Sequence, residues 1–409
     1  MAFIQGKKIL GSDKHSSGSY SLSSASIFDK IIMKILNKPV FTSTLLLAAV
    51  LLLCIFTGKE FLSQRIQENI YPSEGLSQKK SLSWYFSDLE NTAGDTEVYI
   101  FQGEKKGGHI LIMGGTHPNE PAGFITALLL IENMSINRGK VIVIPRANSS
   151  AFTHNDPFEG NPMKFPLNTK QGQRWFRFGS RLTNPIHQWP DSSIYINPAG
   201  QKLSGSESRN LNRCYPGKED GNLTEKIAFG IMRLIRQEKI DLAVDLHEAA
   251  PEYPVINALV FHPNTAELAA TAVMEAQLEG VDLRLEASPE NLRGLCHREW
   301  GDSAGIMALL HETANASHGR LKGKTSASLI TDGKDKNYVK AAQLGHLFVE
   351  FNQTGIPLKT RVSRHLIAVR SILLSLQELY PEKGVQLSGY PDSERLEKEG
   401  FSAILKPSR

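Results

Sequence analysis

A histidine and a glutamate three positions apart lie in the segment Gly-Gly-Thr-His-Pro-Asn-Glu at 114–120. The segment closes an apolar run and opens a helical pattern, so His117 and Glu120 can place an imidazole nitrogen and a carboxylate oxygen on one cation. Hydrolytic zinc sites take three protein ligands of these kinds and leave a fourth position for water. The pair therefore predicts part of a zinc site, and a third ligand must come from another segment.

His247 is the candidate for the third ligand. It ends a strand-like run of apolar and acidic residues at 241–246, and His117 follows a second such run at 109–113. In open α/β sheets, ligands bind outside the carboxyl ends of the strands. We therefore expect both histidines in one crevice. The alternative for His247 is a hydrogen-bonded histidine at a strand end.

Glu312 is the candidate for the base, because it ends a further short apolar run. Water activated by a metal still needs a group that accepts its proton and passes it to the leaving group. Glu248 competes for this role, but neighbouring residues on a strand point to opposite faces, so Glu248 faces away if His247 faces the metal. His311 is interpreted as a packed histidine or as one that supports the site from behind.

A polar loop at 208–213 supplies candidates for substrate binding, Asn212 and Arg213. A guanidinium presents a planar fork to two carboxylate oxygens, so the pair can hold a substrate carboxylate. Taken alone, the loop is more typical of a surface segment with solvated arginines.

Together these segments resemble motifs of the succinylglutamate desuccinylase and aspartoacylase branch of the zinc carboxypeptidase superfamily. The matching motifs are the segment at 114–120, Leu-Asn-Arg at 211–213, Asp-Leu-His at 245–247, and Glu312 with Gly319, over roughly residues 90–320. The ligands that the resemblance implies for one Zn²⁺ per chain are His117, Glu120 and His247. The resemblance also implies that Glu312 is the base and proton shuttle and that Asn212 and Arg213 bind the substrate carboxylate. By the same resemblance, Arg209 or Arg146 polarises the scissile carbonyl.

Three departures from the branch concern the substrate and the metal. Asn210 stands where the branch has an acid before Leu-Asn-Arg, and we expect its amide to orient a zinc histidine without the charge. A long insertion rich in Asn, Pro, Trp and Arg lies between Arg146 and Arg209. The C-terminal end has a mostly helical pattern, whereas aspartoacylase-type enzymes carry a β-rich domain there. The identity of the substrate therefore does not transfer.

The predicted function is a membrane-anchored zinc hydrolase that cleaves an amide bond in a small substrate bearing a carboxylate, as an N-acyl amino acid deacylase does. A metallocarboxypeptidase that acts on short or cell-wall peptides is a chemically adjacent alternative. An alternative of another class is a catalytically silent module that binds carboxylate ligands. The presence of all three ligand types together with Glu312 disfavours the silent module.

Two other motifs indicate different chemistry but lack the elements that must flank them. The letters at 301–305 fit a serine-hydrolase elbow, which must follow a strand and open a helix, and here no apolar strand precedes it. The segment 319–325 is one residue too short for a phosphate-binding loop. We interpret it as a solvated basic loop.

The net charge of +4 resides in the first 40 residues, which hold six lysines and two aspartates. The remainder is balanced, and nucleic-acid binding, which needs a basic surface, is therefore not expected. The sequence indicates no oligomeric state.

An uncharged, Leu-rich run at 40–57 has about the minimum length of a transmembrane helix. Three lysines precede it, so the positive-inside rule places the N-terminus in the cytoplasm and the hydrolase outside. A cleaved signal peptide and a buried core helix are the alternatives. In an oxidising compartment Cys214 and Cys296, the two cysteines beyond the run, could pair.

Helical patterns, among them 121–133, 223–237 and 336–351, alternate with short apolar strands. This alternation predicts an α/β fold with a mixed, mainly parallel sheet and helices on both faces. The predicted organisation begins with a largely disordered cytoplasmic tail (1–39), a transmembrane anchor (40–57) and a juxtamembrane linker (58–90). A zinc hydrolase domain (91–335) follows, and a helical C-terminal extension (336–409) packs on it.

Overall fold

Nine strands of the described residues form one sheet, which organises the chain beyond residue 63. The structure is a computed structural model that describes residues 24–36, 39–156 and 160–408; the tail predicted at 1–39 lies largely outside them. The strands, in chain order, are β1 (Gln78–Ser81), β2 (Glu97–Gln102), β3 (Lys105–Met113), β4 (Ser135–Ile144), β5 (Lys164–Thr169), β6 (Gly172–Arg177), β7 (Ile194–Ile196), β8 (Lys202–Ser204), β9 (Leu242–Ala249), β10 (Ala258–Phe261), β11 (Arg284–Ala287), β12 (Met307–Ala314) and β13 (Gln386–Gly389).

The α-helices of the described residues alternate with these strands. They are α1 (Ser24–Leu36), α2 (Pro39–Ser63), α3 (Pro121–Asn133), α4 (Leu223–Gln237), α5 (Ala266–Leu278), α6 (Cys296–Ala304), α7 (Ala327–Asp332), α8 (Lys336–Gln343), α9 (Leu358–Leu379) and α10 (Ser393–Glu399). The predicted helices at 121–133 and 223–237 are confirmed in full.

The centre of the sheet is parallel and its margins are mixed. The strand order is β1-β2-β4-β3-β9-β12-β10-β11, and β13 pairs with β4. The four central strands β4, β3, β9 and β12 run parallel, whereas β2, β10 and β13 pair antiparallel with them. The predicted mixed sheet with a parallel core is therefore confirmed.

Side chains of the central strands enter two separate hydrophobic cores, one on each face of the sheet. On β3, Ile110 and Ile112 belong to the core beneath α3, α5 and α9, and Leu111 and Met113 to the core beneath α4 and α6. Because each such side chain contributes about 1.5–3 kcal/mol when buried, both helix layers are firmly attached. This accounts for strand patterns that are apolar throughout rather than alternating.

A helix predicted at 336–351 is wrong beyond Gln343. The backbone N–H groups of Gly345 and His346 donate to the carbonyls of Ala342 and Ala341, and Gly345 has φ +70. This is the glycine stop that commonly ends a helix.

The first of two compact units ends at Ser63 and contains α1 and α2. Among the described residues α2 is the one helix long and apolar enough to cross a membrane, and none of its residues is buried. It extends the predicted run of 40–57 at both ends.

The second unit begins at Gln64 and includes most of the segment predicted as a linker. Residues 78–81 form β1 on the edge of the sheet, and Leu82 and Leu89 are fully buried beneath α4. The C-terminal residues also belong to this unit, because α9 packs on α3 and α5, and β13 extends the sheet beside β4. The polar composition at 64–81 gave no sign of β1, an edge strand in which no side chain is buried.

Candidate metal centre

The turn after β3 places His117 and Glu120 at the carboxyl end of the sheet. Gly115 has φ +68, a conformation that favours glycine, and turns the chain out of the strand. The backbone N–H of Glu120 donates to the carbonyl of His117 at 2.9 Å, which closes the turn before Pro121 opens α3. The proline at the first helical position lacks an N–H that would have no partner there.

The structure brings the three predicted ligands together. His117 Nδ1 lies 2.9 Å from Glu120 Oε1, and His247 Nδ1 lies 3.0 Å from Glu120 Oε2. One ligand atom from each of the three residues lies within 4.8 Å of the others, and all three side chains are buried. His247 lies within β9, one strand along the sheet from β3. The two histidines thus share one crevice, as expected from the strand ends.

Asn210 fixes the orientation of the His117 ring. Its Oδ1 accepts a hydrogen bond from His117 Nε2 at 2.8 Å and one from the backbone N–H of Asn212 at 3.1 Å. Its Nδ2 donates to Glu207 at 2.7 Å, so the atom that faces the ring is the oxygen. His117 therefore carries its proton on Nε2 and presents the lone pair of Nδ1 to Glu120. The amide performs the orienting role expected from the sequence.

Asp245 fixes the second ring in the same way. Its Oδ2 lies 2.8 Å from His247 Nε2, and Thr116 Oγ1 donates to the same carboxylate at 2.9 Å. A carboxylate behind a histidine holds the ring and its tautomer at metal sites. Asp245 was not predicted to have a role of its own, although it precedes His247 by two residues and residues two apart on a strand share a face.

The charges of the cluster fit a cation. Burial and the nearby charge of Arg181 together lower the pKa of His117 to about 4, although Glu120 opposes them. Burial also opposes ionisation of Glu120, but the two imidazoles hold its pKa well below the usual range. Burial opposes protonation of His247, but Asp245 and Glu120 raise its pKa well above the ordinary value. A buried carboxylate that is held ionised between two imidazoles is a charge arrangement that a divalent cation would fit.

Arg181 completes the cluster and was not predicted. Its Nη1 lies 2.9 Å from Glu120 Oε1 and 3.2 Å from His117 Nδ1, and its side chain is 31% exposed. The guanidinium thus supplies positive charge at the solvent side of two acceptors. Arg181 lies in the long insertion, where no periodicity or motif marks a functional residue.

Glu312 lies beside the cluster on β12. It is the register partner of His247 on β9, so both side chains project from the same face of the sheet. Its Oε2 is buried with no hydrogen-bond partner among the described residues. Burial, reinforced by Glu120 and Asp245, raises the pKa of Glu312 to about 8. A carboxyl group with this environment can exchange a proton near neutral pH.

Asn212 and Arg213, the residues predicted to bind a substrate carboxylate, lie near this site. Asn212 is buried, and its Oδ1 accepts the backbone N–H of Cys296 at 2.8 Å. Arg213 lies 3.8 Å from Glu207, and burial, with the nearby charge of Arg181, lowers the pKa of its guanidinium. Two guanidinium groups, Arg181 and Arg213, therefore lie close enough to repel each other and favour an anion between them.

The other two predicted arginines have carboxylate partners away from the cluster. Arg209 makes a bidentate pair with Asp191 at 2.7 and 2.8 Å. Arg146 donates to the side chain of Glu68 at 3.0 Å and to its carbonyl at 2.6 Å. The structure does not bring either guanidinium to the metal ligands.

Solved structures similar to this chain include enzymes of both predicted types. They are an aspartoacylase family protein from Mesorhizobium loti (19% identity, 54% of this chain and 56% of that chain, TM-score 0.32), the tripeptide-bound cell shape determinant Csd4 from Helicobacter pylori (13%, 74% and 59%, 0.44) and a metallo-carboxypeptidase from Burkholderia cenocepacia (11%, 78% and 68%, 0.41). The chain spans little more than half the length of the first two. No family model matches the sequence, and no curated protein matches it. Every TM-score quoted is below 0.5, so these similarities do not decide what the chain does.

Two further groups lie around the cluster. His318 Nε2 lies 3.7 Å from Glu120 Oε1, so His318 borders the cluster. Cys214 and Cys296 are both buried free thiols, so the structure contains no bridge between them.

Proposed function

We propose that the chain is a membrane-anchored zinc-dependent hydrolase that cleaves an amide bond in a small substrate bearing a carboxylate. One observation carries the proposal: two imidazole rings, each held at Nε2 by a second side chain, direct their Nδ1 atoms at one buried carboxylate. Three such ligands and an open fourth position are the arrangement of hydrolytic zinc sites. The ligands are His117, Glu120 and His247.

Zinc held by these residues supplies Lewis-acid polarisation of a carbonyl and lowers the pKa of water. Glu312 then acts as the base: its unpartnered Oε2 takes a proton from water, and the same carboxyl group returns it to the leaving amine. The positive charge of zinc favours the ionised form of Glu312, which burial alone disfavours.

Arg181 and Arg213 have separate roles in binding the substrate. Arg181, which already lies beside the ligands, donates to the oxygen of the scissile carbonyl. Arg209 and Arg146 do not have this role because Asp191 and Glu68 hold them away from the cluster. Arg213, with Asn212 beside it, grips the substrate carboxylate. This pairing relieves the repulsion between the two guanidinium groups, so binding favours an anionic substrate.

The membrane anchor is part of the proposal. The helix α2 has the length and composition of a span, and the lysines before it favour a cytoplasmic N-terminus and a hydrolase unit on the other side. Short or cell-wall peptides are then accessible alongside N-acyl amino acids.

The test is hydrolysis by the zinc-loaded full chain. N-acyl amino acids and short peptides are incubated in parallel, and released amine is measured; zinc-dependent release that a chelator abolishes is expected for at least one set. The same substrate with its carboxylate blocked as a methyl ester should be hydrolysed poorly, because Arg213 loses its partner. Stoichiometric binding of both sets without release of amine would instead identify a silent binding module.

A further inference from the structure

A cleft of about 1070 Å³ opens beside the start of α9 and has no role in the proposed function. Three parts of the second compact unit line it: the segment 347–357 before α9, the first two turns of α9, and the residues at the starts of β10 and β11. Its apolar surface includes Leu347 and Phe348, of which Phe348 is 47% exposed. The volume is at the upper end for sites that bind small molecules, which measure about 300–1,000 Å³.

Four charged side chains line this space, which we call the charged cleft, and they carry both signs. They are Asp282, Glu350, Arg284 and Arg364. None of them forms an ion pair with another side chain in the part of the chain that the structure describes. Arg370, which lies later on the same helix as Arg364, has such a partner, because its guanidinium lies 3.7 Å from Glu279. The counter-ions of the charged cleft must therefore come from solvent or from a ligand.

Asn257 and Phe348 hold the two arginines at the cleft. The carbonyl of Asn257 accepts the backbone N–H of Arg284 at 2.8 Å, and its Oδ1 accepts Nη1 of Arg364 at 3.2 Å. Nη2 of Arg284 donates to the carbonyl of Phe348 at 2.8 Å. Asn257 has φ +47, a left-handed conformation that asparagine adopts more readily than most residues. Both guanidinium groups are therefore positioned by the protein before a ligand binds, which lowers the entropic cost of binding.

The positive charge of Arg364 is incompletely compensated. Its bond to Asn257 uses one of the five N–H donors of the guanidinium, and the acceptor is a neutral amide. Burial lowers the pKa of Arg364, although the charges of Glu397 and Asp282 oppose this. Removing a charged group from water without an ion partner is unfavourable. A carboxylate in the cleft is therefore attracted by charge and also receives hydrogen bonds.

We propose that the charged cleft is a binding site for a small zwitterion, a free amino acid or a short peptide. The carboxylate of the ligand lies against Arg284 and Arg364, and its ammonium group lies against Asp282 and Glu350. A simple anion or cation would use only half of these charges and would be repelled by the other half, whereas a zwitterion supplies a partner of each sign. The apolar surface beside the charges suits a ligand with an apolar side chain.

The charged cleft is separate from the metal centre. Arg364 precedes His365 on α9, and Nδ1 of His365 lies 2.7 Å from Nδ1 of His311. Neighbouring residues on a strand point to opposite faces, so His311 and α9 lie on the face of the sheet opposite to Glu312. A ligand in the cleft leaves the metal ligands free, and its binding requires neither zinc nor hydrolysis.

The experiment is calorimetric titration of the full chain, purified in detergent and loaded with zinc, with leucine. Leucine has both charged groups and an apolar side chain, and it contains no amide bond for the proposed hydrolase to cleave. Arg364→Gln and Arg284→Gln should each weaken leucine binding at least about 10-fold, because each removes charge-assisted hydrogen bonds. Arg370→Gln, the same change on the same helix but outside the cleft, should bind leucine as the wild type does. Arg284 is exposed, so its substitution tests the site even where Arg364→Gln disturbs folding.

Two analogues of leucine test the charges of the ligand one at a time. Isocaproate lacks the ammonium group and isoamylamine lacks the carboxylate, and each is expected to bind at least about 10-fold more weakly than leucine. Glu350→Gln, at an exposed position, should weaken the binding of leucine but not that of isocaproate.

Three results would overturn the proposal. Isocaproate that binds as tightly as leucine would show a site for simple anions. Leucine binding that disappears when a chelator removes zinc, but survives both arginine substitutions, would place leucine at the metal centre. A wild-type chain that binds no leucine at millimolar concentrations would remove the site altogether. Because leucine binding in the cleft does not depend on zinc, a failure of the hydrolysis assays leaves these titrations unchanged.

Discussion

The paired strands β9 and β12 present acids and histidines to both faces of the sheet, and the faces differ in whether these groups find partners. On one face His247 and Glu312 lie in register, and Glu312 keeps a buried oxygen without a hydrogen-bond partner among the described residues. On the other face Glu248 receives the guanidinium of Arg361 at 2.6 Å and the backbone N–H of Ala122 at 2.8 Å. Neither side chain of that ion pair is exposed.

The histidine of the second face also bonds to another side chain. His311 Nδ1 lies 2.7 Å from Nδ1 of His365 on α9, so one ring donates and the other accepts. Burial lowers the pKa of His311 to about 3 and that of His365 well below its usual value, and both rings are neutral. The comparison teaches that strand alternation separates two roles. It places the paired acid Glu248, which stabilises the fold, on one face, and it places Glu312, whose oxygen has no partner among the described residues, on the face of the site.

The largest effect is expected from the site face. Glu312→Gln keeps the shape of the side chain but cannot accept a proton, so amide hydrolysis should fall by about 10²–10⁴-fold. Amine release by the zinc-loaded enzyme measures this, with Glu290→Gln, an exposed glutamate, as the control. Zinc content should not change, and unaltered turnover would remove Glu312 from the mechanism.

The opposite face should respond in stability instead. Arg361→Met leaves the buried carboxylate of Glu248 without its ion partner, which costs about 3–5 kcal/mol of unfolding free energy. Urea unfolding of residues 64–409 measures this cost. Adding Glu248→Gln to Arg361→Met should cost less than the sum of the single changes. A destabilisation by Glu312→Gln as large as that by Arg361→Met would contradict the division between the faces.

Loss of the hydrogen bond between Asn210 and His117 should have a smaller effect, and it should appear as weaker zinc binding. Asn210→Ala removes the acceptor that holds Nε2–H, and zinc affinity is expected to fall about 10–100-fold. Asn210→Asp keeps the acceptor and should not weaken binding. Competition with a chromophoric chelator measures both variants. Equal affinities for Asn210→Ala and the wild type would show that the ring needs no such support.

The smallest effect concerns acid stability. The pKa values of His311 and His365 are lower in the folded chain than the unfolded value near 6.5, so the unfolded state binds more protons. The folding stability that the two neutral rings contribute is fully present above pH 6.5 and is lost as pH falls towards 3. At pH 6 the loss is about 1 kcal/mol per histidine.

Unfolding free energies of residues 64–409 at a series of pH values measure this loss. A His311→Leu/His365→Leu variant should show a shallower decline below pH 6.5. A decline as steep as that of the wild type would place the acid sensitivity elsewhere.

The sequence predicted those parts of the site that strands position. His117, His247 and Glu312 belong to apolar runs or follow them, and parallel strands bring such positions to one edge of the sheet. The separation of Glu248 from His247 followed from strand alternation alone. Local patterns were sufficient because the main chain determines where these side chains point.

The sequence did not predict residues whose positions depend on tertiary contacts. Arg181 reaches the cluster from the insertion, whereas Arg209, from the expected loop, pairs with Asp191. Composition cannot show which arginine has an acid beside it. Residues 64–69, expected as part of a linker, are fixed by pairs such as Glu68 with Arg146, which lie 78 residues apart in the chain.

The most direct test of the account is the position of zinc itself. Anomalous difference density at the zinc edge, from crystals of the purified protein, should show one peak about 2.0–2.2 Å from His117 Nδ1, His247 Nδ1 and a carboxylate oxygen of Glu120. A peak at any other group of residues, or no peak in protein soaked with zinc, would contradict it.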